Sequence, residues 1–222
     1  MTIADNPILT DNQKVLLARF GTSNLRDAFY LTGGTALSAI YLHHRLSEDL
    51  DFFTENDFGI EEILAFVKSL PGFHDTQYER KYDRRIFLIH YANTHAMKVA
   101  FALYPFSRVE AGPNVDGIQI DSLQDIVINK LMAMTDRIDP KDYIDLYCAF
   151  KTFPELDLEK LLDQTAVKFD VKGVRHILSG RFLQPLAPWG VLGIRCQLDR
   201  EEMARFYSQR AKAWIARLTE EF

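Results

Sequence analysis

Cysteine is scarce in this sequence, with Cys148 and Cys196 the only two among 222 residues. They stand in no metal-ligand spacing. A disulfide framework is therefore not expected, and a reducing cytoplasm fits best. Long apolar runs are missing too. None approaches the roughly 20 residues that cross a bilayer, so no membrane is expected as a partner. The opening MTIADNPILT has neither a basic n-region nor an apolar h-region, so no secretory leader is expected there. An excess of positive charge is also absent. Lys and Arg total 26 against 31 Asp and Glu, a net charge of −5, which argues against a globally basic nucleic-acid-binding domain. The one short basic stretch is YERKYDRR, Tyr78 to Arg85, and a solvated loop or strand edge is the preferred reading of it. Internal repeats and low-complexity segments are not seen.

What is present is an ordinary globular composition, 47% hydrophobic and 26% charged. The length suits one large domain or two small ones. Spaced apolar residues predict a helix over Asn12 to Thr22, and the run AFYL predicts a buried strand over Ala28 to Leu31. Thr32-Gly33-Gly34-Thr35 breaks that strand, and ALSAIYLHHR resumes with helical spacing. DLDFF, Asp49 to Phe53, reads as the next strand. An amphipathic helix follows and ends near Pro71-Gly72. TQYERKY and RRIFLIHYA read as a hairpin, and AMKVAFALYPF as a further strand ended by Pro105. GIQIDSLQDIVINKLMAMTDR begins as a strand and continues as a helix that Ser122 can cap. Helices are expected over 141–151, 157–168, 171–178 and 199–220, with a Pro/Gly-broken connector over Phe182 to Ile194. The expected class is α+β: a mixed core over 1–120, and a mainly helical region over 121–222 packed on it.

The chemistry concentrates in YLTGGTALSAIYLHHRLSEDLDFFT, Tyr30 to Thr54. Residues i and i+2 of a strand share a face, so Asp49 and Asp51 aim two carboxylates at one place. Such a pair calls for compensation, and Mg²⁺ supplies it well because it takes carboxylates together with substrate phosphates. Gly33 and Gly34 let backbone N–H groups come close to a ligand, and the start of the next helix suits phosphate. A phosphate cradle beside a metal site is what nucleoside triphosphate chemistry needs. His43-His44 closes the helix. With no acid or cysteine at ligand spacing, an interaction with the helix C-terminal dipole is the better reading than zinc.

With these residues in view, GGTALSAIYLHHRLSEDLDFF resembles the nucleotidyltransferase signature of Gly-Gly or Gly-Ser, a helix, then Asp-x-Asp. More narrowly it is similar to the AbiEii/AbiGii abortive-infection toxin family. That family's Arg-x-Ser-x-Asp-hydrophobic-Asp run falls on Arg45, Ser47, Asp49 and Asp51. A second block, SLQDIVINKLMAMTDRIDPKDYIDLY, supports the match through Asp125, Lys130-Leu131, Arg137, and Asp142 to Leu146, with Lys141 where arginine is usual. The resemblance covers roughly residues 25 to 150. It implies a nucleotidyltransferase fold, Mg²⁺ or Mn²⁺ as cofactor, an NTP substrate, an acceptor such as tRNA, and a cognate antitoxin. By resemblance, Asp49 and Asp51 hold metal, and Gly33, Gly34, Thr35, Arg45 and Ser47 meet nucleotide or phosphate. Lys130 contacts phosphate, with Asp142 and Asp145 in support. For Lys130 the alternative is a snorkelling surface lysine. For Asp142 and Asp145 it is a solvated acidic face, and for Arg45 a surface ion pair.

The pattern breaks at one place. The family carries a third carboxylate in a stretch of the form hydrophobic-Lys-Val-Asp-Phe, and this sequence reads AMKVAFALYP, with Ala100 at that position. The third carboxylate helps hold metal and can take the acceptor proton, so nucleotide binding could survive while transfer is impaired. Three explanations stand open: a natural loss, an introduced change that disarms a toxic protein, or a substitute acid such as Asp83 or Asp121. The alternative function is a non-catalytic nucleotide-binding or protein-interaction module on the same fold.

Overall fold

The computed structural model describes residues 2–92, 94–184 and 193–220. The chain divides into two compact units, Met1–Leu123 and Gln124–Phe222. Most of the connector expected over 182–194 falls on residues 185–192, outside the described residues.

The first unit opens with α1 (Asp11–Phe20). Thr10 and Gln13 cap it reciprocally, each side chain bonding the other's backbone, which starts the helix one residue earlier than expected. A 3₁₀ turn over Asn24–Asp27 leads into β1 (Tyr30–Thr32). The chain then turns into α2, an α-helical turn over Gly33–Ala36 that widens into π-helical turns over Leu37–Leu42. His43 closes it in the left-handed conformation, and its N–H bonds back five residues to the Ser38 carbonyl at 2.8 Å. Next come β2 (Leu50–Thr54), α3 (Glu61–Lys68), β3 (Phe73–Lys81), β4 (Arg84–Tyr91) and β5 (Thr94–Leu103). Two short strands, β6 (Asn114–Val115) and β7 (Ile118–Gln119), close the unit.

β1 to β5 form one mixed sheet of order β1-β2-β5-β4-β3, in which only β2 and β5 run parallel. Alternation sorts its side chains. Leu50 and Phe52 of β2 point to one face beside Val99 and Phe101 of β5, which they oppose in register. There the Phe20 ring of α1 stacks on Phe52 at 4.2 Å, and Phe52 stacks on Phe101 at 5.1 Å. Phe66 of α3 meets Phe20 edge-on at 5.9 Å. This aromatic core fixes the register of β2, because a slip of one residue would turn its carboxylates inward. The other face carries Thr32, Asp51 and Ala100.

The second unit holds α4 (Leu123–Asp136, whose first residue belongs to the first unit), α5 (Pro140–Thr152), α6 (Leu158–Phe169), α7 (Val174–Phe182) and α8 (Arg200–Glu220). Asp139 and Asp157 cap α5 and α6 by accepting backbone N–H groups. Trp214 and Tyr207 of α8 pack on Phe182 of α7. Both ring dipoles are answered: Trp214 Nε1 donates to Glu159 at 2.6 Å and Tyr207 Oη to the Tyr143 carbonyl at 2.6 Å. Among the described residues, no helix is long and apolar enough to cross a membrane.

Candidate active site

The site is a row across the sheet. Thr32 of β1 opposes Asp51 of β2, Asp51 opposes Ala100 of β5, and Ala100 opposes Ile86 of β4. All four side chains therefore share the face away from the aromatic core. Asp49 precedes β2 by one residue, where the strand had been expected to begin. Thr35 spends its hydroxyl on holding that edge, donating to the Asp49 carbonyl. Gln13 does the same from α1, its amide donating to the carbonyls of Ser47 at 2.8 Å and Glu48 at 3.2 Å.

Both glycines are required, each for a different neighbour. Gly33 has φ +75°, and a Cβ built on it would lie 2.7 Å from Asp51 Oδ2. A Cβ on Gly34 would lie 2.6 Å from Arg45 Nη2 and 3.2 Å from Ser47 Oγ. The turn is thus a cradle already touched by the carboxylate and by the guanidinium, which is buried rather than in a surface ion pair. Gly33→Ala is expected to destabilise by about 1–3 kcal/mol, from left-handed strain plus the clash. Gly34→Ala should cost less, because its closest contact is the far end of a flexible side chain. Chemical denaturation of the two variants checks the order.

Two cations stand on the two carboxylates. Lys98 Nζ lies 2.8 Å from Asp49 Oδ2, and Arg84 Nη1 lies 3.8 Å from Asp51 Oδ1. Asp49 and Lys98 are about half exposed, so that pair contributes little to stability, about 0–1 kcal/mol. Its consequence is electrostatic: the compensation expected from a divalent ion is met here by side chains. Alternation on β5 puts Lys98 on the face of Ala100, but nothing in the sequence pairs it with Asp49, and Arg84 reads there only as part of a basic run.

Of the acids considered as substitutes at Ala100, Asp121 is buried and accepts from Thr32 Oγ1 at 2.7 Å. Its N–H bonds the Leu31 carbonyl, so it borders β1 on the side away from β2. Thr32 stands between it and Asp51. Asp83 sits in the β3–β4 turn, three residues from Ile86, the β4 residue opposite Ala100. Beyond Asp51 on the same face, Tyr30, Phe53 and Ala102 form a small buried cluster with Tyr104 against it. Burial, and next the charge of Asp121, push the Tyr30 phenol far above its usual range, so it stays neutral.

The second unit contains its own charge cluster. Lys130 Nζ of α4 lies 2.5 Å from Asp145 Oδ2 and 3.1 Å from Asp142 Oδ1 of α5. Arg137 Nε donates to Asp142 Oδ2 at 2.9 Å. Both carboxylates are buried and the Lys130 side chain is only 10% exposed. The lysine does not snorkel and the acidic face is not solvated; the two acids orient Lys130, and Asp142 also holds Arg137. A further buried pair, Lys168–Asp125 at 2.6 Å, joins α6 to α4 and escaped the sequence reading. His43 meets the helix-end expectation, its Nε2 lying 2.9 Å from the Ala39 carbonyl.

The family model described as nucleotidyl transferase AbiEii toxin, type IV TA system, matches residues 15–216. A protein from Aquifex aeolicus (strain VF5), aq_aa25, described only as uncharacterized, is 32% identical over 160 residues. That stretch is 69% of this chain and 74% of the relative. Two Helicobacter pylori crystal structures share the fold. One, provisionally called a nucleotidyltransferase, superposes with TM-score 0.63 at 20% identity over 96% of this chain and 99% of its own. The other, JHP933, superposes with TM-score 0.62 at 20% identity over 95% and 93%.

Proposed function

The chain belongs to the AbiEii nucleotidyltransferase toxin family of type IV toxin–antitoxin systems, and we propose from that premise that its carboxylate face binds a nucleoside triphosphate with Mg²⁺ while nucleotidyl transfer is impaired at Ala100. Membership implies a nucleotide substrate and an antitoxin partner. The observation that carries the proposal is the Thr32–Asp51–Ala100 row, with the Asp51 carboxylate lying on Gly33. The turn brings backbone against a carboxylate with no side chain between them, which is the geometry a phosphate–metal pair needs.

The donor set suits one hard divalent ion. Asp49 and Asp51 would hold it together with phosphate oxygens. Among the described residues no three His, Cys, Asp or Glu side chains gather as metal ligands, and Ala100 offers no donor beside Asp51. When bound, such an ion neutralises the triphosphate and polarises it toward attack. The chain's own residues do the rest. Gly33, Gly34 and Thr35 fix the phosphates from the backbone, with Arg45 and Ser47 beside them. Binding releases Lys98 and Arg84 from the carboxylates, and their charges then turn to phosphate. At Ala100 no group accepts the proton of an acceptor hydroxyl such as that of tRNA.

Calorimetric titration of each NTP with Mg²⁺ tests the binding step. Binding is expected, and Asp51→Asn should weaken it at least tenfold, because the amide removes the charge that faces the metal while keeping the shape of the side chain. Equal affinity in Asp51→Asn would remove Asp51 from the site. The non-catalytic module is favoured by the same Ala100 and by the cation-neutralised carboxylates. It shares the binding step and differs only in what an acid at position 100 restores.

A further inference from the structure

The basic run YERKYDRR forms the end of the β3–β4 hairpin. Lys81 pairs with Arg84, so Tyr82 and Asp83 are the two connecting residues. Tyr82 has φ +53°. That position in a two-residue hairpin favours Gly, Asn or Asp, and a bulky residue there is strained. Nothing is gained from its ring by packing, since Tyr82 is 85% exposed. Folding therefore gives no reason for tyrosine at this position, and strain held at an exposed tip points to a use.

The neighbours indicate the use. Arg80 and Lys81 are exposed and make no ion pair among the described residues. Arg84 and Arg85 follow the turn, against the acids Glu79 and Asp83. An acidic protein would be served by cations alone. A flat aromatic ring presented to solvent between cations fits a base with phosphates on either side. We propose that the tip docks single-stranded nucleic acid, with Tyr82 stacking on one base and Arg80 and Lys81 holding adjoining phosphates.

The tip is tied to the carboxylate face. Arg84 reaches Asp51 at 3.8 Å and covers the Phe53 ring at 5.6 Å. From strand spacing and rise, Tyr82 stands roughly 16 Å from Asp51. A strand stacked on Tyr82 can thus run toward the row that holds Asp51. That it is the acceptor rests on the transfer reading, whereas its binding can be measured without transfer.

The test is fluorescence anisotropy of the full chain with a labelled single-stranded RNA 12-mer, the matching DNA strand, and an RNA duplex, over a salt series. Both single strands are expected to bind more tightly than the duplex, and the RNA and DNA arms tell which source is preferred. Tyr82→Gly should weaken single-strand binding about tenfold, with a melting temperature at or above that of the unchanged chain because glycine relieves the turn. Tyr82→Trp should keep the affinity. Arg80→Ala with Lys81→Ala should reduce the log–log salt slope by roughly 1.4. The dock is overturned if Tyr82→Gly binds as well as the unchanged chain, or if single strands show no advantage over duplex. It is also overturned if Tyr82→Gly loses antitoxin binding while keeping RNA affinity, since the tip is then a protein contact. Failure of transfer by Ala100→Asp beside intact RNA binding would sink the transfer reading alone. Transfer by Ala100→Asp with an acceptor KM unchanged by Tyr82→Gly would sink the dock alone.

Discussion

Ala100→Asp is expected to raise nucleotidyl transfer by about a hundredfold or more over the unchanged chain, the scale of a positioned general base. The new carboxylate would stand beside Asp51, one strand spacing of about 4.8 Å away on the same face. Lys98 precedes it by two residues on β5 and Arg84 reaches the same face from β4, so two cations are at hand. Ala100 is only 2% exposed, and an ionised group there must be desolvated. Without metal the variant should therefore be less stable by about 1–3 kcal/mol, and Mg²⁺ with NTP should return the loss. The assay is transfer of label from each NTP onto total tRNA, with Ala100→Asp/Asp49→Ala as the control expected to be silent. Silence of Ala100→Asp, with NTP binding intact, would select the non-catalytic module. Strong transfer by the unchanged chain would mean that an acid outside this row serves.

The readable part of the site was its local part. Two-residue alternation on β2 sends Asp51 one way and Phe52 the other, and the core rings of Phe20 and Phe101 enforce it. The same alternation on β5 puts Ala100 in the row. The Gly-Gly turn was legible as a place where backbone comes close to something. That the first occupants are Asp51 and Arg45 was not, because a cross-strand approach leaves no mark in local spacing. In the sequence Arg45 reads equally as a phosphate contact or a surface ion pair, and the fold buries it against Gly34. Asp121 and Thr32 meet across 89 residues of chain, and Lys168 and Asp125 across 43. The π-helical turns over Leu37–Leu42 were read as ordinary helix, since apolar spacing barely separates the two periods. What favours them is distant again: Asn6 Nδ2 donates to the Ala39 carbonyl at 2.7 Å, satisfying a carbonyl within the widened turns.

Asp145→Ala carries the largest expected loss of stability. It would take the carboxylate at 2.5 Å from the Lys130 ammonium, whose side chain is 10% exposed, while Asp142 already shares its charge with Arg137. Removing one partner of a buried pair typically costs about 3–5 kcal/mol. For a unit of about 100 residues, that lowers the melting temperature by on the order of 10 °C or more. Stability alone does not say what the cluster is for, because an apolar replacement of similar volume often folds as well as the ion pair it replaces. Lys130→Met with Asp145→Leu is therefore the deciding variant. It should recover to within about 1 kcal/mol of the unchanged chain, since both charges leave together and Asp142 keeps Arg137. If Lys130 meets phosphate, as its family resemblance implies, this well-folded variant loses NTP affinity by more than tenfold in the same titration. The converse result, full affinity in a stable double variant, would confine Lys130, Asp142 and Asp145 to joining α4 to α5 and leave phosphate to the glycine turn of the first unit.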